Sequence, residues 1–223
     1  MHVRNLFVLV ALLSFVFSNP SSAQFMDALK ETAQGGATSP DAASAQQDSF
    51  TTAFRDAYVK MLTAQGILLE AFGLKEDAGA LKAEAESLQS GPIDKDAIKK
   101  VKSSSSRATA AVNEKMESEV ALDASSKKIF AQAIPVLFQG TRLTALLPAE
   151  AKAFSDSAEN ALTSASFMEK AKLTNKFKTG TYLATQVPDF LATSGDNYKK
   201  VLTFANKQSI SVPEDATSLL GTL

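Results

Sequence analysis

Few side chains in this sequence can carry out nucleophilic or redox chemistry. The chain has no cysteine, and its only histidine is His2, which lies in an N-terminal segment with the features of a cleaved signal peptide. These counts exclude Ser-His-Asp and Cys-His catalytic units, thiol redox chemistry, zinc sites of the usual Cys/His type and the Glu-x-x-His sites of di-iron bundles. Carboxylate, lysine, tyrosine and serine chemistry remains, as does the binding of hard cations.

The carboxylates are not arranged for shared acid–base work. Glu84 and Glu86, like Glu117 and Glu119, are two positions apart, so on a helix they point to different faces. The sequence also contains no phosphate-binding loop, nucleophile elbow, calcium loop or dinucleotide fingerprint. We therefore expect a protein that is not an enzyme and that uses no cofactor and no metal ion.

The stretch "IFAQAIPVLFQGTRLTALLP" is apolar nearly all round, yet Pro135 and Gly140 interrupt it and Arg142 charges it. Pro135 predicts either a kink that bends the helix around the core or a backbone opening beside a cavity. Arg142 either extends its guanidinium to the surface or anchors an anion at the end of an apolar pocket. The predicted lining of such a pocket is Tyr58, Met61, Phe130, Ile134, Phe138 and Arg142.

A second group of charged residues lies in "EKAKLTNKFK", residues 169–178, which holds four lysines. On a helix these lysines scatter over much of the circumference and favour a solvated surface. The alternative is contact with anionic lipid headgroups, lipopolysaccharide or nucleic acid. Because no aromatic residues are interleaved as a stacking platform, we do not expect nucleic-acid binding.

Residues 1–23 read as a secretory signal peptide. Arg4 supplies a positive start, Leu6 to Phe17 is apolar, and Ser21-Ser22-Ala23 offers small residues for cleavage after Ala23. The apolar run is shorter than the roughly 20 residues that a membrane-spanning helix needs, so we expect no transmembrane anchor after cleavage. An exported chain without cysteine is typical of a bacterial periplasmic or secreted protein, with a Gram-negative source favoured.

The hydrophobic period is helical almost throughout, which predicts an all-α bundle of about five to eight helices. Residues 24–48 are expected to form a short helix (Phe25 to Gln34) and a flexible linker, an N-terminal arm to a single bundle domain at residues 49–223. Gly73 is expected to end the first helix of the first hairpin, and Asp94 or Asp96 is expected to cap the helix that follows that hairpin. The helices expected in the bundle are 49–72, 75–88, one from Asp94 or Asp96, one from Asp123 or Ser125 to residue 147, then 148–163, 166–187 with a break near 179–181, and 196–208.

Two segments suggest an internal repeat. "QGILLEAF" at residues 65–72 resembles "QGTRLTAL" at residues 139–146, and each precedes an Ala/Glu-rich segment. The resemblance predicts two packed helical hairpins plus extra helices, with Pro148 at the start of the second hairpin's return helix.

From these features we expect an exported, non-enzymatic binding or interaction protein that acts through a helix face or an inter-helix groove. The alternative is a carrier of an apolar small molecule or lipid in an inter-helix cavity. The expected partner is accordingly another protein or an apolar ligand. A closed cavity of about 300 Å³ or more between the helices at 49–72 and 123–147 would favour the carrier. A filled core with an exposed apolar patch would favour the interaction protein.

Overall fold

The computed structural model describes residues 39–218, and the short helix expected at residues 25–34 lies outside that range. Within it, 87% of residues are helical and there is no strand, so the predicted all-α bundle is confirmed. The helices are α1 (Pro40–Ala71), α2 (Lys75–Ser90), α3 (Lys95–Glu117), α4 (Ala124–Ser164), α5 (Phe167–Lys176), α6 (Lys178–Lys207) and α7 (Glu214–Ser218).

Helix α1 begins at Pro40, inside the segment that was expected to be linker, so that expectation is wrong for residues 40–48. Ser39 caps the helix by accepting a hydrogen bond from the N–H of Ala42 at 3.2 Å. Pro40 follows at the first helical position, where its fixed φ suits the helix and its missing N–H costs nothing. The pair Ser39-Pro40, a combination that is also typical of loops, therefore starts a helix in this protein.

The turn between α1 and α2 follows the prediction. Gly73 has φ +78°, a left-handed conformation that side chains disfavour. Its N–H donates to the carbonyl of Glu70 at 2.9 Å, and the N–H of Leu74 donates to the carbonyl of Leu69 at 2.9 Å. This pair of bonds is a Schellman motif, which satisfies carbonyl groups that the helix end leaves open. The expected N-cap at Asp94 is also confirmed, with bonds from the N–H groups of Asp96 and Ala97.

Helix α4 differs most from expectation, because it continues past Pro148, which was expected to start a new helix, whereas Pro135 lies inside the helix as expected. Both prolines are exposed, so the local bend that each ring demands falls on the outer face of the helix. On the inner face, Leu147, Ala151 and Phe154 continue one buried stripe. Burying that stripe outweighs the roughly 3 kcal/mol that an internal proline costs. The second hairpin, and with it the proposed repeat, is therefore wrong.

The C-terminal helices are also longer than the sequence suggested. The break expected near residues 179–181 lies at Phe177, and α6 continues through Pro188, whose ring is exposed. Gln47 of α1 joins the two sides of the break. Its Nε2 donates to the carbonyl of Lys176 at 3.1 Å, and its Oε1 accepts from the N–H of Gly180 at 3.2 Å.

The most extensive helix contact is that of α1 with α4, and α6 packs against α4. Aromatic rings fill the centre of the bundle. Tyr58 stacks on Phe190 with ring centroids 3.9 Å apart, and Phe50 stacks on Phe154 at 6.0 Å. Such rings bury large apolar areas and interlock in specific geometries, which gives the core a single packing arrangement.

A polar network crosses this core. Buried Gln65 of α1 donates through Nε2 to the hydroxyl oxygens of Ser105 at 3.0 Å and Thr109 at 2.8 Å, both on α3. Asn197 of α6 donates to the same Thr109 hydroxyl at 3.1 Å. A register shift of any of these helices would leave buried polar groups unpaired, so the network specifies how α1, α3 and α6 align.

One buried side chain is not satisfied in this way. Glu150 of α4 is 1% exposed, and neither of its carboxylate oxygens accepts a hydrogen bond of normal geometry. Burial raises the pKa of this carboxyl above its usual value, and the nearby Ser49 hydroxyl only partly opposes the rise. The ionised form of Glu150 is therefore a cost to the folded state.

We predict that Gly180→Ala lowers the free energy of unfolding by about 1–3 kcal/mol through overpacking. A Cβ at this position would lie 2.6 Å from Cζ of the buried Phe154 and 2.9 Å from Oε1 of Gln47. The measurement is urea unfolding followed by circular dichroism. Gly66→Ala is the matched control, because its Cβ would meet only the Ala78 carbonyl oxygen, at 3.6 Å. Equal stability of the two variants would contradict the packing described for Gly180.

We also predict that Glu150→Gln is more stable than the native chain at pH 7, by about 1 kcal/mol or more. The folded-state pKa is raised above 4.5, so the folded state holds this proton more tightly than the unfolded state. The contribution of Glu150 to the free energy of unfolding is therefore greatest below pH 4.5, and it is lost as the pH rises from 4.5 through the pKa of the folded state.

The measurement for Glu150→Gln is the unfolding free energy of both chains between pH 4 and pH 8. The gap should open as the pH rises and close at the acid end. Exposed Glu159 lies on the same helix, and Glu159→Gln should show no such gap. A constant difference for Glu150→Gln at all pH values would show that charge burial is not its cause.

Candidate binding surface

The six residues predicted to line a pocket belong mostly to the packed core. Tyr58, Met61, Phe130 and Ile134 are buried, and Phe138 is partly buried with its ring 6.4 Å from that of Tyr198. Met61 occupies the space beside Gly140, where its Sδ lies 2.9 Å from the position of an added Cβ. These contacts show that the side chains themselves fill the space around them. The assignment of the six residues to a ligand site stays a prediction.

Two residues singled out in the sequence of α4, Pro135 and Arg142, lie on its outer face. Arg142 and Pro135 are exposed, which agrees with a guanidinium that reaches solvent. Burial raises the pKa of Tyr58 to about 12, so its phenol stays protonated at neutral pH and is a poor base. Neither the position of Arg142 nor the state of Tyr58 supplies a charge to the interior between α1 and α4.

An open groove lies instead between α1 and α2, with a volume of about 530 Å³. Its floor holds Leu62, Gly66 and Ala78, and charged side chains stand on its rim, among them Lys75 and Lys82. Gly79 also lines it and has no neighbouring atom within 4 Å of an added Cβ. This groove has the size and the apolar floor of a small-molecule site but is open along one side.

The most exposed apolar side chains lie elsewhere, at the start of α5. Phe167 is 90% exposed and Met168 is 75% exposed, whereas Val120 and Leu146 reach only 43% and 38%. Phe167 is the only phenylalanine of residues 39–218 that is exposed to solvent. We call Phe167, Met168 and the exposed Ala171 the α5 patch. At about 100° per residue, the three positions fall within one arc of the helix.

Helix α5 is held to the bundle by few side chains. Leu173 is its one buried residue, and Phe177 is buried directly after it, where its ring packs edge-on against Phe154 at 6.1 Å. The rest of the helix, from Phe167 to Lys172, is exposed. The fold therefore presents the α5 patch on an ordered helix that nothing in residues 39–218 covers.

Basic side chains surround the α5 patch. Lys170, Lys172, Lys176 and Lys178 are all exposed, and within residues 39–218 none of them forms an ion pair. Lys170 shares a groove of about 530 Å³ with Glu159 of α4. Glu169 caps its own helix by accepting bonds from the N–H and the hydroxyl of Ser166 at 3.0 and 2.6 Å. The surface around the patch therefore has an excess of positive charge.

Sequence reasoning identified the lysines but missed Phe167 and Met168. Residues 166–187 were expected to form a helix with a break near residues 179–181, and that expectation assigned no direction to Phe167. The break at Phe177 separates the two pieces, so the apolar face of α6 says nothing about the direction of Phe167. The available signal was the Ser-x-x-Glu box at Ser166 and Glu169, which marks a helix start at residue 167.

Other kinds of site find no support in the described range. Within residues 39–218 no cluster of three or more histidine, cysteine or acidic side chains is placed to hold a metal ion. No helix of that range is both long enough and apolar enough to cross a membrane. No family model, curated protein or solved structure matches the chain.

Proposed function

We propose that this protein is an exported, non-enzymatic binding protein that acts through a helix face, and that this face is the α5 patch. The observation that carries the proposal is the exposure of Phe167 and Met168, at 90% and 75%, on an ordered helix. Neighbouring large apolar side chains are seldom left in water on a stable fold unless another surface covers them in use.

The packing of the bundle supports a surface function over an internal one. Tyr58, Met61 and Phe130 pack against other side chains, so the space between α1 and α4 is occupied by the protein itself. A carrier that buries its ligand needs that space to be empty. The absence of cysteine from the chain, and of histidine beyond His2, also excludes catalytic units that depend on a histidine or a cysteine. Export rests on the N-terminal pattern of residues 1–23 alone.

Site-specific photocrosslinking in cells tests this proposal. With a photoreactive phenylalanine analogue at position 167, we expect light to link the protein to another macromolecule or to lipid. The matched control carries the analogue at position 120, because Val120 is also exposed but lies outside the patch. Irradiation that gives no adduct at position 167, or equal adducts at both positions, would count against the α5 patch as the functional face.

The groove between α1 and α2 favours a second candidate function, the binding of an apolar small molecule with an acidic end. Its floor is apolar, and its rim carries Lys75 and Lys82, which suit a carboxylate, together with Glu70 and Glu86. We predict that Gly79→Leu weakens the binding of a dansyl-labelled fatty acid at least about tenfold, because Gly79 lines the groove and a Cβ there meets no atom within 4 Å, so the added side chain takes up groove space.

Fluorescence titration of the dansyl probe measures this effect. Ala80→Leu is the control, since Ala80 is exposed on the same helix but does not line the groove. If the native chain does not bind the probe, or if the two variants bind it equally, the groove is not a fatty-acid site.

A further inference from the structure

The partner of the α5 patch can be inferred from the charges around it. We propose that Phe167 and Met168 enter the surface of a lipid bilayer that contains anionic lipids, while Lys172, Lys176 and Lys178 contact the headgroups. This inference rests on the proposed function of the patch and names its partner.

The apolar part of the patch has the form of a shallow insertion site. Phe167 and Met168 are adjacent and lie at the very start of α5, so they protrude together from one end of the helix. Ala171, one turn later, extends the apolar arc without adding a polar group. The arrangement reaches the depth of the headgroup boundary, as interfacial helices do, and does not resemble a span.

The start of α5 is capped by a side chain of the same helix. The first N–H groups of a helix have no partner within the helix and are costly to remove from water. Here the carboxylate of Glu169 accepts from both the N–H and the hydroxyl of Ser166, at 3.0 and 2.6 Å. The N–H and hydroxyl of Ser166 therefore have a partner within the chain, and the hydrogen bonds from Ser166 hold the pKa of Glu169 below its usual value, so its charged carboxylate stays at the level of the headgroups.

The charge around the patch selects anionic lipids. Four exposed lysines lie between residues 170 and 178, and they outnumber the two acidic side chains beside them, Glu169, which interacts with Lys172, and Glu159, which shares a groove with Lys170. The long aliphatic stems of Lys172 and Lys176 can follow the bilayer surface while their ammonium groups reach phosphates. A bilayer of phosphatidylcholine alone balances each phosphate with a choline, so it offers these lysines no net negative charge.

A bilayer fits the patch better than a folded protein does. A stable protein interface covers about 800 Å² on each partner and requires complementary shape. The patch consists of two large side chains, one alanine and several flexible lysines, which supply only part of that area. A fluid lipid surface adapts its shape to two protruding side chains, so it needs no such match.

The test uses tryptophan fluorescence, because the chain contains no tryptophan. Phe167→Trp, purified from cells that express the full chain, is mixed with vesicles of phosphatidylcholine containing roughly 30% phosphatidylglycerol. We expect a blue shift of the emission and quenching by acyl-chain bromines, both weaker in high salt. Pure phosphatidylcholine vesicles should bind at least about tenfold more weakly. Val120→Trp, outside the patch, should show neither effect.

Two sets of variants separate the contributions. In a vesicle sedimentation assay of the tryptophan-free chain, Phe167→Ser with Met168→Ser should reduce binding at least about tenfold through lost apolar contact. Lys172→Gln and Lys176→Gln should each reduce it about fivefold. Circular dichroism confirms that each variant is folded, which is expected because these side chains are exposed.

The outcomes distinguish this inference from the proposed function. No blue shift with the anionic vesicles, or an equal shift with the neutral ones, overturns membrane binding. If position 167 then still crosslinks to a protein in cells, the α5 patch remains a binding face with a protein partner. If neither vesicles nor crosslinking give a signal, the inference and the proposed function fail together.

Discussion

The close approach of α1 and α4 is the constraint on which the rest of the bundle depends. At Gly140 there is no side chain, and Met61 of α1 fills the space that one would occupy. The two helices can therefore pack closely along a long common face. The continuous buried face of α4 stabilises the fold by more than the two internal prolines destabilise it, because both proline rings are exposed to solvent. Helix α4 consequently continues through a position where local rules would end it.

The length of α4 decides what happens to the segment that follows. The chain leaves α4 at Ser164 and returns through α5 into α6. Gln47 holds the junction by bonding to the carbonyl of Lys176 and the N–H of Gly180, and Phe177 inserts into the core there. The junction is thus firmly placed, whereas the other end of α5, from Phe167 to Lys172, is exposed. A binding face with Phe167 at its tip is a result of that geometry.

Local signals explain how much of the fold was predictable. The Schellman turn at Gly73 and the cap at Asp94 depend on atoms within one or two helical turns, so the sequence around them is sufficient. The start of α1 was misread because Ser-Pro is compatible with both a loop and a helix start. The apparent repeat around Gly66 and Gly140 failed for a similar reason. Two similar octapeptides do not end in the same way when one is followed by a glycine turn and the other by a buried stripe.

The candidate site was predictable only in part. The sequence showed the lysines of residues 169–178 and the apolar residues around Phe138, but not which apolar residues would be covered. Whether an apolar side chain is exposed depends on whether a distant segment packs over it. Phe190 packs over Tyr58, whereas nothing in residues 39–218 covers Phe167.

The sequence by itself determined the helical class, the caps at Gly73 and Asp94, and the exclusion of histidine and cysteine chemistry, because these follow from composition and from neighbours along the chain. Only the tertiary structure decided that helices continue through Pro148 and Pro188, that Glu150 is buried, and that Phe167 faces solvent. Each of those outcomes depends on the balance between a local free-energy cost and the packing of that residue against segments far away in sequence. That comparison exists only once the helices are packed.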